Sequence, residues 1–443
     1  MQPPPLIRAL VDAPLRRLYH PRMFWRAFYI TLALAACLIL GSETQVSGDL
    51  NQRVRAFTRA LEFDYVEWTL DAAALKVRQA LLDEIDYLDE AAAKQFVLDY
   101  LELVRGIQQG EGELSLLHAN PDPASVDPQI DALSADLDRL YAQRAVVAPL
   151  VESILQAQIS AVVAEEGLAL GGQPIPPLLF HTTPLPWALI VSPRDAIRQE
   201  ANLSLETELS LEDHIALEDE VAAALDVSTL VVPVGGVGTY PTMVAQSSDL
   251  NWLAEVVSHE WIHNYLTWHP LGALYNQSQE LRTLNETTAN IAGKEIGAAV
   301  IRGFYPELAP PPSPPPAPET PESPEPPPPA EPPAFDFRSE MHATRIRVDE
   351  LLAAGRVAEA EEYMETRRIF FWESGYPVRK LNQAYFAFYG SYADSPTGPA
   401  GEDPVGAAVR ELRARSSSLA DFVNRMAFFT SLESLQDYLT SAE

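Results

Sequence analysis

Leu250–Trp268 (LNWLAEVVSHEWIHNYLTW) is the stretch that decides how the chain is read. Ser247, Ser248 and Asp249 supply helix-start chemistry ahead of it, and Leu250, Leu253, Val257 and Trp261 recur at helical steps that can line a buried face. Within this helix, His259-Glu260-Trp261-Ile262-His263 forms an HExxH motif. A step of four residues puts both imidazoles on one face, one turn apart, where they can share one metal ion. Glu260 stands beside them and can reach a water at that ion without ligating it. In a chain with 8 histidines such a motif arises by chance about once per hundred sequences of this kind. A buried polar network is the competing explanation, but two histidines and a glutamate on one face need many partners when buried.

A catalytic zinc site needs a third protein ligand and an open position. Glu286, in Leu284–Gly293 (LNETTANIAG), follows His263 on a second expected helix, with Asn290 one turn further on the same face, placed to brace an imidazole. His269 is the rival ligand, and Glu280 and Glu295 are further acids nearby.

From the HExxH helix to Asn285-Glu286, the chain resembles the gluzincin metallopeptidases, the thermolysin-like and aminopeptidase-N-like group. In that group a second helix bearing Asn-Glu completes the site. The resemblance covers residues 239–300. It implies Zn2+ held by His259, His263 and Glu286, with Glu260 as catalytic base and a peptide or protein as substrate. An aminopeptidase or small-peptide peptidase is the form it favours. Asn290 stands where thermolysin-like enzymes carry an aspartate. The group also uses a tyrosine or histidine after the zinc helices to stabilise the oxyanion. In Leu381–Ala393 (LNQAYFAFYGSYA), Tyr385 and Tyr389 are the candidates, with Tyr392 on the same face, against a plain aromatic core stripe. The resemblance further implies an edge strand at Thr239–Val244 that pairs with an extended peptide.

The run HEWIHNYLTWH is similar to the metzincin pattern HExxHxxGxxH, which would make His269 the third ligand of an endopeptidase. Leu266 occupies the glycine position, and leucine disfavours the left-handed turn needed there. A non-catalytic, zinc-stabilised scaffold is the alternative from another class. Glu260 discriminates, because a structural site has no use for a base beside its ligands.

The expected fold is mainly α with a small β-sheet (α+β). Residues 48–168 form a helical region, read as a stalk or small bundle without chemistry of its own, with helices over Asn51–Leu82, Ile85–Gln108 and Ile130–Glu166. Residues 171–308 form the zincin-like core, where Trp187–Val191 and Thr229–Val234 read as strands and Gly235-Gly236-Val237-Gly238 as a bend before an edge strand. Residues 309–334 are a proline-rich linker or loop of polyproline-II character. Residues 335–443 complete the domain with helices, two of them joined at Gly355.

The N-terminus has its own logic. Residues 1–26 carry Arg8, Arg16, Arg17, Arg22 and Arg26 against Asp12, and an uncharged run follows over 27–42 (AFYITLALAACLILGS). The arginine excess holds the first end in the cytosol, so a single-pass anchor would leave the catalytic domain outside. A cleaved signal peptide and a lipobox at Cys37 are the alternatives. Cys37 is the lone cysteine, so neither a disulfide within the chain nor cysteine-ligated zinc in the soluble part is possible. A formal charge of −31 argues against nucleic acid as a partner.

Overall fold

The computed structural model describes residues 49–82, 88–118, 127–310, 335–391 and 404–441. The basic segment, the apolar run with Cys37, nearly all of the proline-rich segment and Tyr392 lie outside the described residues. What is described is mainly helical with small sheets, as the composition of the segments implies.

The described residues begin with α1 (Leu50–Thr58), α2 (Tyr65–Leu82), α3 (Glu90–His118) and α4 (Asp127–Glu165). By length and composition α4 is apolar enough to cross a membrane. Its second half instead packs inside the protein, with Val151, Ile154, Leu155, Ile159, Val162 and Val163 all buried. Glu152 on that face is buried too and accepts 2.6 Å from Lys76 Nζ, which ties α2 to α4. Burial alone would raise the Glu152 carboxyl, but Lys76 and His181 outweigh it and hold it below the ordinary carboxylate range.

A Gly171-Gly172 loop with both φ angles positive then joins β1 (Ala169–Leu170) to β2 (Gln173–Pro174), a two-residue hairpin geometry that glycine tolerates. β3 (Phe180–Thr182), β4 (Trp187–Pro193) and β5 (Ala201–Leu205) follow, then α5 (Leu211–Leu225), β6 (Val227–Val232), β7 (Gly236–Val237) and β8 (Thr242–Val244).

Two three-stranded sheets result, ordered β5-β4-β6 and β3-β8-β7. The first is antiparallel and alternates its side chains. Leu189 and Val191 face α1 and α5, while Ala188 and Ile190 face a later helix. In the second sheet, β8 lies between β3 and β7. This corrects the expectation that Thr239–Val244 forms an edge. Thr239 N–H turns back to Val237 O at 2.7 Å, so Gly236–Val237 folds over the side that Thr242–Val244 would have exposed and becomes the edge itself.

The two helices that matter most come next: α6 (Leu250–Leu266) and, after the short α7 (Pro270–Ala273), α8 (Gln279–Phe304). Beyond the proline-rich segment lie α9 (Phe337–Ala353), α10 (Val357–Glu373), α11 (Gln383–Tyr389), α12 (Pro404–Arg415), α13 (Leu419–Met426) and α14 (Leu432–Ser441). α3, α4, α6, α8 and α12–α14 share one hydrophobic core, in which Val104, Ile159, Trp261, Ile296 and Phe422 all take part. The helical region at 48–168 is therefore no separate stalk: its apolar faces are part of the core that supports the two central helices.

Candidate metal centre

Asp249 caps α6, its carboxylate accepting from the backbone of Asn251 at 2.9 Å and Trp252 at 3.2 Å. Ser278 does the same for α8, accepting from Leu281 N–H at 3.1 Å. With both starts fixed, His259 and His263 on α6 face Glu286 on α8. The two Nε2 atoms are 3.0 Å apart, and Glu286 Oε2 lies 3.5 Å from His259 Nε2 and 3.4 Å from His263 Nε2. Tetrahedral zinc with bonds near 2.0–2.1 Å separates its ligand atoms by about 3.3 Å. Glu286 Oε2 is buried and has no hydrogen-bond partner, which a metal would supply. The donor set, its spacing and this orphaned oxygen fit zinc.

The partners of these ligands are as telling as the ligands. Asn285 Oδ1 lies 2.7 Å from His263 Nδ1, and its amide nitrogen donates to Leu271 O at 3.4 Å. That orientation makes Nδ1 the protonated nitrogen and leaves Nε2 to face Glu286. The bracing expected of Asn290 falls to Asn285. Tyr275 donates its hydroxyl to Glu286 Oε1 at 2.5 Å. Burial pushes the Glu286 carboxyl up, but the two imidazoles more than offset this and hold it well below the ordinary carboxylate range. Burial disfavours a charged His263, yet the Glu286 carboxylate raises its pKa to about 9. Burial likewise sends the Tyr275 phenol well above 10.0.

Glu260 is not part of the ligand cluster. Its carboxylate faces Gly236, where an added Cβ would sit 2.6 Å from Oε1, and Gly238, 3.5 Å from Oε2. The glycine run thus does more than bend: it lets β7 pass directly over the carboxylate. Burial raises the Glu260 pKa, opposed by the two imidazoles.

All four residues line a cavity of about 640 Å³. Tyr65, Val66, Thr69 and Leu70 of α2 form part of its wall, so the helical region contributes to the site after all. Tyr385 and Tyr389 do not line it. Their rings pack 4.6 Å apart against the Ala188–Ile190 face of the first sheet, because that face needs an apolar cover and α11 provides it. His269 is also turned away. α6 runs unbroken to a buried Leu266, and His269 then stands at the start of α7 with its Nδ1 turned back to Tyr265 O at 2.9 Å and its ring stacked on Tyr265. Glu295 is held by Arg413 at 2.7 Å on both oxygens, and Glu280 is exposed.

Sequence reasoning missed Tyr275, which sits on a loop with no motif of its own, and Arg282, although its position one helical turn before Glu286 was a usable signal. Gly293 and Gly297, four residues apart, were a second such signal. No known protein family, characterised protein or solved structure matches the chain.

Proposed function

We propose that the protein is a membrane-tethered zinc peptidase of the gluzincin kind. The observation that carries this reading is the convergence of His259, His263 and Glu286 at zinc-like spacing, with a fourth residue, Glu260, buried beside them but outside the cluster. A set built only to hold a metal does not need that extra carboxylate.

When bound, zinc supplies Lewis acidity, polarising a carbonyl oxygen and acidifying a water. Asn285 keeps His263 in the tautomer whose Nε2 points into the site. Tyr275 fixes one oxygen of Glu286, so the other is aimed at the imidazoles. Glu260 takes a proton from the attacking water and returns it to the leaving amine, and its burial, by raising its pKa, makes it a stronger base once ionised. α2 and β7 wall the cavity and limit water around the reacting atoms. The tether rests on the apolar run 27–42 and the arginines before it, which favour a cytosolic N-terminus and a catalytic domain on the other side.

The test is peptide cleavage by the purified, zinc-loaded chain beside Glu260→Gln. Loss of about 10²–10⁴-fold in kcat with zinc content unchanged supports the assignment; equal rates in the two proteins would sink it.

A further inference from the structure

Arg282 is buried, at 7% exposure, and lines the same cavity. Among the described residues of that lining it is the only lysine or arginine. Its guanidinium meets neutral groups alone: Gln199 O at 3.3 Å, Gln279 Oε1 at 3.5 Å and Asn276 Oδ1 at 3.1 Å. Nε is buried with no hydrogen bond, and no carboxylate among the described residues pairs with it. The ring of Tyr275 lies 5.3 Å from Cζ. A buried cation with unused donors and no counter-ion is costly to keep. Its planar fork matches a carboxylate.

The position gives the ligand its length. Arg282 precedes Glu286 by one helical turn, which separates their Cβ atoms by about 5–6 Å. An extended peptide advances about 3.5 Å per residue. A carboxylate one or two residues beyond the scissile bond would reach the fork. The cavity's own carboxylates are Glu260 and Glu286. Both are committed to chemistry, so no described acid is left to hold a free α-amine, as an aminopeptidase would require.

Resting on the peptidase reading above, we propose that Arg282 binds a carboxylate of the substrate, so that the enzyme selects short peptides by an acid group near the scissile bond. The C-terminal carboxylate is the first source to consider, and an Asp or Glu side chain is the second. The site then releases one or two residues from a free C-terminus.

The experiment uses the full zinc-loaded chain and three matched sets of N-blocked peptides: free acids, C-terminal amides, and amides carrying Asp or Glu after the scissile bond. Free acids should be cleaved about 10–100-fold better in kcat/KM than plain amides, through KM. Arg282→Gln should collapse that ratio to near one, and Arg282→Lys should restore part of it. Preference for the acidic amides over the free acids keeps the carboxylate site and assigns it to a side chain. Equal cleavage of all three sets by the unaltered chain overturns the proposal while leaving the peptidase reading intact, as does an acid preference that survives in Arg282→Gln. Calorimetric binding of the same peptides to Glu260→Gln separates the two ideas. If nothing is cleaved, acid-selective binding there still supports the Arg282 site, and indifferent binding removes it.

Discussion

Gly293 on α8 lies so close to His259 on α6 that a Cβ at position 293 would sit 2.9 Å from both the Cβ and the backbone nitrogen of His259. One turn on, a Cβ at Gly297 would sit 2.8 Å from the backbone nitrogen of Glu255. The contacts are to backbone and to a Cβ whose position the backbone fixes, so neither can swing aside. The two helices carrying the ligands are thus set at their spacing by two missing side chains. Gly293→Val should destabilise the fold by about 1–3 kcal/mol and move His259 off its line. Thermal melting beside zinc content checks this, and a variant with both unchanged contradicts it.

Asn285 reaches the proposed zinc site through His263. Asn285→Ala removes the 2.7 Å contact that orients the ring and should weaken zinc binding about 10–100-fold. The fold should be preserved. Competition with a chelator of known affinity measures it.

A substitution at Gly236 tests the proposed chemistry apart from the proposed metal binding. The atoms a new Cβ would meet, Oε1, Cγ and Cδ of Glu260 at 2.6–2.9 Å, belong to the end of a flexible side chain. Gly236→Ala should therefore cost little stability and leave zinc in place, while displacing the base and lowering kcat at least about tenfold. Unchanged kcat would show that Glu260 is not working from this position.

Glu218 on α5 is fully buried and accepts from Val231 N–H at 2.6 Å, from Arg379 at 2.5 and 3.0 Å, and from Lys380 at 3.0 Å. Burial would raise its carboxyl, but Arg379 and the other donors outweigh that and depress it below 4.5. A depressed carboxylate stabilises fully above its unfolded pKa and loses that contribution as pH falls through the folded value. Glu218→Gln should cost about 3 kcal/mol at pH 7, and its gap to the parent chain should narrow as pH falls below about 4, the unfolded carboxyl's range, and close as pH passes the depressed folded value. Urea unfolding at both pH values decides it; a gap constant with pH would rule out the ionised contact.

What was legible in the sequence was local. The HExxH turn, the Asn285-Glu286 pair on a capped helix, and the buried runs in β4 and β6 each follow from spacing within a few residues. What was not legible depends on distant partners. α2 reaches the cavity because Lys76 pairs with Glu152, far along the chain. Thr242–Val244 became a central strand because the turn at Thr239 brings Gly236–Val237 over it. Tyr385 and Tyr389 went to the core because the sheet face at Ala188 and Ile190 had to be covered. The α5 helix was missed despite Ser210 and Asp213 forming a capping box at its start, a signal that was present and local.

The central claim is that His259, His263 and Glu286 hold one ion. Zinc per chain after dialysis, measured by mass spectrometry on the parent and on Glu286→Gln, tests it most directly. One equivalent in the parent and a large loss in the variant is the predicted result. Zinc absent from the parent, or retained in full by Glu286→Gln, would contradict it.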